Sequence, residues 1–222
     1  MGQSPAQGAP ERLLEHWRWR PDWTPDRIGL WWYLTFTGLP QVAATSREVT
    51  AALAGSPEVD VSPPSWLHVT LREVGFEDEV SPETVEDCVI RTRRALAARF
   101  PFVLRVDAVG MLPGAVVLWV EPQDAVRDLR DEVAGREIAP ADREGLLGPF
   151  ARPHVSVAYV RRDSDPGPVQ DLLPSPTPVQ VPVSQVTLAA VTRRDQHYQW
   201  TVHTQVPIGA STVPAPAGPG RG

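Results

Sequence analysis

With 222 residues, 42% of them hydrophobic, and a net charge of −6, the chain has the composition of a globular protein large enough for one ample domain or two small lobes. Every basic side chain is arginine, and a chain this acidic is not expected to coat long nucleic acid, although arginine suits a single phosphate or a short RNA end. The lone cysteine, Cys88, excludes an intrachain disulfide and a Cys/His zinc cluster, while the absence of a long apolar run or an apolar leader points to a cytoplasmic protein with no membrane span.

Taken in order, residues 1–16 read as disordered or loosely docked, with a short helix expected within Glu11 to Trp23 to bring its aromatics against a domain spanning 17–207. Ile28 to Phe36 is a dense run of β-formers and the first strand, closed by Gly38 and Pro40. A helix over about Gln41 to Ala54 follows, with Val42, Val49 and Leu53 on one stripe. The next strand runs from Trp66 to about Gly75. Ser81-Pro82-Glu83 carries the signature of a helix start, Ser81 as N-cap, and that helix extends to about Arg99. Phe102 to Val109 and Ala115 to Val120 form a hairpin about the turn at Leu112-Pro113-Gly114, and Gln123 to Val133 is helical with Val126, Leu129 and Val133 inward. Gly135 to Phe150 reads as a loop over a groove, and a further strand covers Arg152 to Arg161. Asp163 to Pro182, rich in proline, reads as a connection with a helical turn near Val169 to Leu173. A closing hairpin pairs Val183 to Arg193 with Tyr198 to Val206, and 208–222 is a disordered Pro/Gly/Ala tail.

Two of these strands carry the same pattern. Trp66-Leu67-His68-Val69-Thr70-Leu71 and Pro153-His154-Val155-Ser156-Val157 each set a histidine two residues before a hydroxyl. Side chains at i and i+2 of a strand share a face, so His68 points with Thr70 and His154 with Ser156, while Leu67, Val69, Leu71, Val155 and Val157 turn to the core. The other histidines, His16, His197 and His203, are followed at i+2 by Arg18, Gln199 and Gln205, so the pattern is not general to the chain. By the same parity Trp66 and Arg72 join the first motif face, for base stacking and phosphate neutralisation. Arg152, beside the second motif, is a further phosphate-binding candidate. Tyr159 falls on the core parity unless a bulge intervenes.

The two elements resemble the paired His-x-Thr/Ser motifs of the two-histidine (2H) phosphoesterase superfamily, and the chain is most similar to its 2′-5′ RNA ligase family, over about residues 17 to 207. The resemblance rests also on the strand from Ile28 to Phe36, on Pro63-Pro64-Ser65-Trp66 entering the first motif, and on the hairpin Arg193 to Trp200. Tyr33, Arg194 and Tyr198 are carried as substrate-binding residues by family-like position alone. Each motif follows a strand and a helix. An α+β domain of two pseudo-twofold lobes, with antiparallel sheets flanked by helices and the motifs facing across a central cleft, is therefore expected, in agreement with the family fold.

The resemblance implies a 2′,3′-cyclic phosphodiesterase acting on RNA or nucleotide ends, with reversible 2′-5′ RNA ligase activity when an RNA hydroxyl serves as the nucleophile. One imidazole would serve as base and the other as acid, with Thr70 and Ser156 steadying the phosphate, no metal or cofactor and no obligate partner, in a monomer. Two other readings differ in class. A non-catalytic RNA-end or nucleotide-binding module would keep the cleft without turnover; a metal hydrolase would use His68 and His154 as ligands but shows no third ligand at a recognisable spacing.

Overall fold

The computed structural model describes residues 9–18, 21–136 and 152–209. Two antiparallel sheets form its two lobes. The first has the order β3-β1-β8-β9, from β1 (Gly29–Thr35), β3 (His68–Phe76), β8 (Gln185–Arg194) and β9 (His197–Pro207). The second has the order β2-β6-β5-β4-β7, from β2 (Val59–Val61), β4 (Phe102–Leu112), β5 (Ala115–Glu121), β6 (His154–Val160) and β7 (Val179–Val183).

The helices cross between the lobes. α1 (Pro40–Ala52) leaves β1 of the first sheet and packs on β6 and β7 of the second, whereas α3 (Gln123–Glu132) leaves β5 of the second and packs on β3 of the first. This reciprocal exchange ties each motif strand to a helix that follows the other sheet's strand. α2 (Pro82–Leu96) covers β9 within the first lobe, started by Ser81, whose hydroxyl accepts from the Thr84 N–H at 3.2 Å.

Both faces of the central strands are buried. In β1, Leu30, Trp32 and Leu34 join the main core with Val69 and Leu71 of β3, Leu118 of β5, and the inner stripes Val42 and Val49, Val85 and Cys88, and Val126 and Leu129 of the three helices. Each such side chain, fully buried, contributes about 1.5–3 kcal/mol. The alternate residues Trp31 and Tyr33 face the other way, into an aromatic layer shared with Val117, Trp119, Tyr159, Val191 and Tyr198. That layer lies between the two sheets and floors the cleft.

Several sequence expectations need correction. Pro64–Trp66 is a 3-10 turn and the first motif strand begins only at His68. The Asp163 to Pro182 connection contains, besides the short α4 (Gly167–Gln170), an edge strand, β7, in which Pro182 is tolerated because an outer strand lacks a partner on one side. β2, paired to β6, was also not expected. The segment ahead of Trp17 is held firmly where it is described: Leu13 is fully buried and pairs with Ser164. The closing hairpin turns on Asp195 and Gln196, both at positive φ, 51° and 59°, the backbone signs of a two-residue type I′ turn. The proposed loop over the groove falls on residues 137–150, outside the described residues.

Candidate active site

Cross-strand register places the motifs. Thr35 stands opposite His68 and Tyr33 opposite Thr70; in the other lobe Trp119 stands opposite His154 and Val117 opposite Ser156. Each ladder then slips by one residue directly after the hydroxyl, at Leu71 and at Val157. An extra residue reverses the parity beyond it. Trp32 therefore pairs with Arg72 and Trp31 with Glu73, so Arg72 leaves the motif face and Glu73 takes it; likewise Ala115 pairs with Tyr159, which joins His154 and Ser156.

The result is a cleft of ≈ 600 Å³, its open mouth included, lined by His68, Thr70, His154 and Ser156 together with Tyr33, Tyr159 and Tyr198, the three tyrosines of the chain. His16, Trp23, Trp31, Arg130 and Pro153 complete the lining. Trp23 and Trp31 lie parallel, with ring centroids 5.8 Å apart.

The two motif histidines are held alike. Nδ1 of His68 lies 2.7 Å from the Trp66 carbonyl, and Nδ1 of His154 lies 2.9 Å from the Arg152 carbonyl. A carbonyl only accepts, so each Nδ1 carries a hydrogen and each neutral ring keeps its lone pair on Nε2. Burial lowers the pKa of both from 6.5 to about 4; the backbone bond opposes this in each, while His154 lowers His68 further and the Arg130 charge lowers His154. Both are thus neutral at physiological pH. Tyr33 stacks on His68 at 3.9 Å, and burial, with Tyr159, Tyr198 and Glu73 nearby, raises its pKa well above 10. Burial, with Tyr198 nearby, likewise raises Tyr159.

Beside His154 the Trp119 indole stands edge-on at 6.0 Å, and the Arg152 guanidinium lies 4.1 Å over it. Gly110 makes room for this ring: a Cβ there would collide with the indole nitrogen. Among the described residues no group of three His, Cys, Asp or Glu side chains is placed to hold a metal ion.

Of the sequence candidates, His68, Thr70, His154, Ser156, Tyr33 and Tyr198 converge on the cleft. Trp66, Arg72, Arg152 and Arg194 do not line it. Trp66 contributes its carbonyl, which also accepts from Trp200 Nε1, and its ring packs near His197. Arg72, turned by the bulge, reaches Asp131 at 3.5 Å. Arg152 lies on Trp119 and 3.8 Å from Glu121. Arg194, at the hairpin tip, bonds the Pro25 carbonyl and Asp26. The residues that sequence reasoning missed are His16, Trp23, Trp31, Arg130 and Tyr159. Arg130 had a usable signal, since it follows Val126 by four residues and so flanks the inner stripe of α3.

The family model described as "2'-5' RNA ligase superfamily" matches residues 40–195, more than two thirds of the chain and including both motifs. No curated protein matches. Among solved structures, TT0787 of Thermus thermophilus aligns with a TM-score of 0.58 at 20% identity, covering 82% of this chain and 99% of that one. LigT of E. coli in its 3′-AMP complex aligns at 0.55 and 16% identity, covering 82% and 98%, and a protein described as a phosphoesterase at 0.54 and 19%, covering 82% and 99%. At such identities the likeness shows a shared fold.

Proposed function

Since the chain belongs to the 2′-5′ RNA ligase superfamily of two-histidine phosphoesterases, we propose that it hydrolyses 2′,3′-cyclic phosphate ends of RNA or nucleotides without a metal ion, with reversible 2′-5′ ligation when an RNA 5′-hydroxyl takes the place of water as nucleophile. The observation that carries this reading is the pair of imidazoles lining one cleft, each with Nδ1 fixed by the carbonyl two residues earlier and Nε2 available for proton transfer. A cyclic phosphate between them would be attacked by water whose proton passes to one Nε2, while the other imidazole, protonated, gives its proton to the departing ribose oxygen. Thr70 and Ser156 would donate to the non-bridging oxygens, and Arg130 would balance their charge.

The low pKa values have a mechanistic consequence. A base is ready at neutral pH, whereas the acid must be charged by the arriving phosphate anion, so binding takes up a proton. Support for a nucleotide ligand comes from the fold neighbour LigT of E. coli, solved with 3′-AMP and with phosphate. The aromatic lining offers rings on which a base can stack.

The test is hydrolysis of the four nucleoside 2′,3′-cyclic monophosphates in the presence of EDTA, wild type beside His68→Ala and His154→Ala. Each variant is expected to stay folded and to lose about 10²–10⁴-fold in turnover, the usual contribution of a general acid or base. Full activity in either variant, or loss of wild-type activity to the chelator, would overturn the reading.

A further inference from the structure

We propose that His16, outside both motifs, is a positioning residue that takes the hydrogen of the Tyr198 phenol and so presents Tyr198 to the ligand as a hydrogen-bond acceptor. The segment that carries His16 is anchored on the second lobe. Leu13 exchanges backbone hydrogen bonds with Ser164 at 2.9 and 3.1 Å, the Leu14 N–H donates to the Pro113 carbonyl at 2.8 Å, and the Glu15 N–H donates to the Asp163 carboxylate at 2.8 Å. From there a 3-10 turn, His16–Arg18, reaches the first lobe. His16 Nε2 lies 2.8 Å from the Tyr198 hydroxyl of β9, and the Trp17 carbonyl accepts from Arg193 of β8 at 2.9 Å. The segment therefore spans both sheets at the cleft, with the buried His16 ring against Tyr159 at 4.5 Å.

The direction of the His16–Tyr198 bond follows from acid and base strengths. A phenol, with a pKa of about 10, gives up a hydrogen far more readily than a neutral imidazole N–H, and an imidazole nitrogen, with a conjugate-acid pKa of about 6.5, is a stronger acceptor than a phenol oxygen. Desolvation, with Arg193 adding to it, keeps His16 neutral, its pKa lowered to about 3, so Nε2 retains its lone pair across the working pH range. With its hydrogen committed to His16, the Tyr198 oxygen offers the cleft only lone pairs. It cannot donate to a phosphate. Its complement is an O–H donor on the ligand side, either a ribose hydroxyl or the attacking water.

The inference rests on the phosphoesterase reading for its ligand, and its test has an arm that does not. Nitrogen-15 NMR of histidine-labelled full-length protein should show the His16 Nε2 unprotonated and hydrogen-bonded, with its resonance displaced in Tyr198→Phe; a hydrogen on Nε2 would overturn the proposal. In kinetics with a 2′,3′-cyclic mononucleotide, Tyr198→Phe and His16→Leu should each lower kcat/KM about tenfold, the worth of one neutral hydrogen bond, and the double variant should lose no more than either alone. His16→Gln, whose amide oxygen can accept the same hydrogen, should recover most of the loss. Additive losses, or a His16→Leu variant as active as wild type, would overturn it. Weaker binding of the nucleoside monophosphate product to Tyr198→Phe would identify the donor as a ribose hydroxyl, and unchanged binding with slower turnover as water. A wild type that hydrolyses no cyclic phosphate would sink the phosphoesterase reading alone, because the nitrogen measurement still decides for or against His16.

Discussion

His68 and His154 hold the same backbone bond, from Nδ1 to the carbonyl two residues back, yet their rings meet different surroundings. Tyr33 lies face to face on His68 at 3.9 Å, whereas Trp119 meets His154 edge-on at 6.0 Å with the Arg130 charge close enough to lower its pKa. The first half of the cleft keeps its histidine neutral chiefly by excluding water; the second half adds a cation to the same effect. A shared main-chain frame thus fixes the tautomer of both histidines, and the side chains around each decide where an anion is welcome. On this reading the phosphate charge rests on the His154 side.

Arg130→Gln attacks that asymmetry most directly. It should lower kcat/KM by about 10–100-fold, the worth of a charge-assisted hydrogen bond, and raise the pKa of His154 while leaving His68 much less affected; titration of the two histidine resonances beside the kinetics checks both halves of the statement. Tyr33→Leu should act on the other side, admitting water to His68 and raising its pKa toward 6.5, with a loss of about tenfold or less in turnover, whereas Tyr33→Phe, which keeps the stacked ring, should lose less. Stability probes what the halves have in common. His16, His68 and His154 all have folded pKa values below 6.5, about 3, 4 and 4, so the unfolded chain takes up protons first as pH falls. The stability they contribute is complete above about 6.5 and is lost on descending toward 3, and the thermal midpoint should fall over that window. Arg194→Ala, outside the cleft, should change kcat/KM by less than about twofold and stability by no more than an exposed ion pair contributes.

Much of this architecture could be read from alternation. The unbroken run of β-formers from Ile28 to Phe36 identified the first strand, whose burial on both faces emerges only in the fold, and the His-x-Thr and His-x-Ser spacings put each histidine on the face of its hydroxyl. Counting by parity failed ahead of His68, where Trp66 belongs to a 3-10 turn rather than to the strand, and past the hydroxyls. There a single extra residue, Leu71 or Val157, turned Arg72 away from the cleft and Tyr159 into it. Nothing in Val-Thr-Leu-Arg or Val-Ser-Val-Ala announces a bulge, because the slip is set by how β1 and β5 pair across the sheet rather than by the residues that bulge. His16 was invisible for a related reason: its place depends on contacts to Pro113, Asp163 and Ser164, about 100 to 150 positions away, which no local pattern encodes. β7 was missed because prolines that forbid an inner strand are tolerated on an outer one.

The carbonyls of residues 66 and 152 carry a further lesson about variation. An amide oxygen is present whatever the side chain, so the group that sets each histidine's tautomer is indifferent to amino-acid identity. The molecule already illustrates this internally: a tryptophan supplies the oxygen in one half and an arginine in the other, at 2.7 and 2.9 Å. Those two positions are therefore free to drift toward other tasks, ring packing near His197 in one case and cover for an indole in the other, while the proton bookkeeping of the site stays intact.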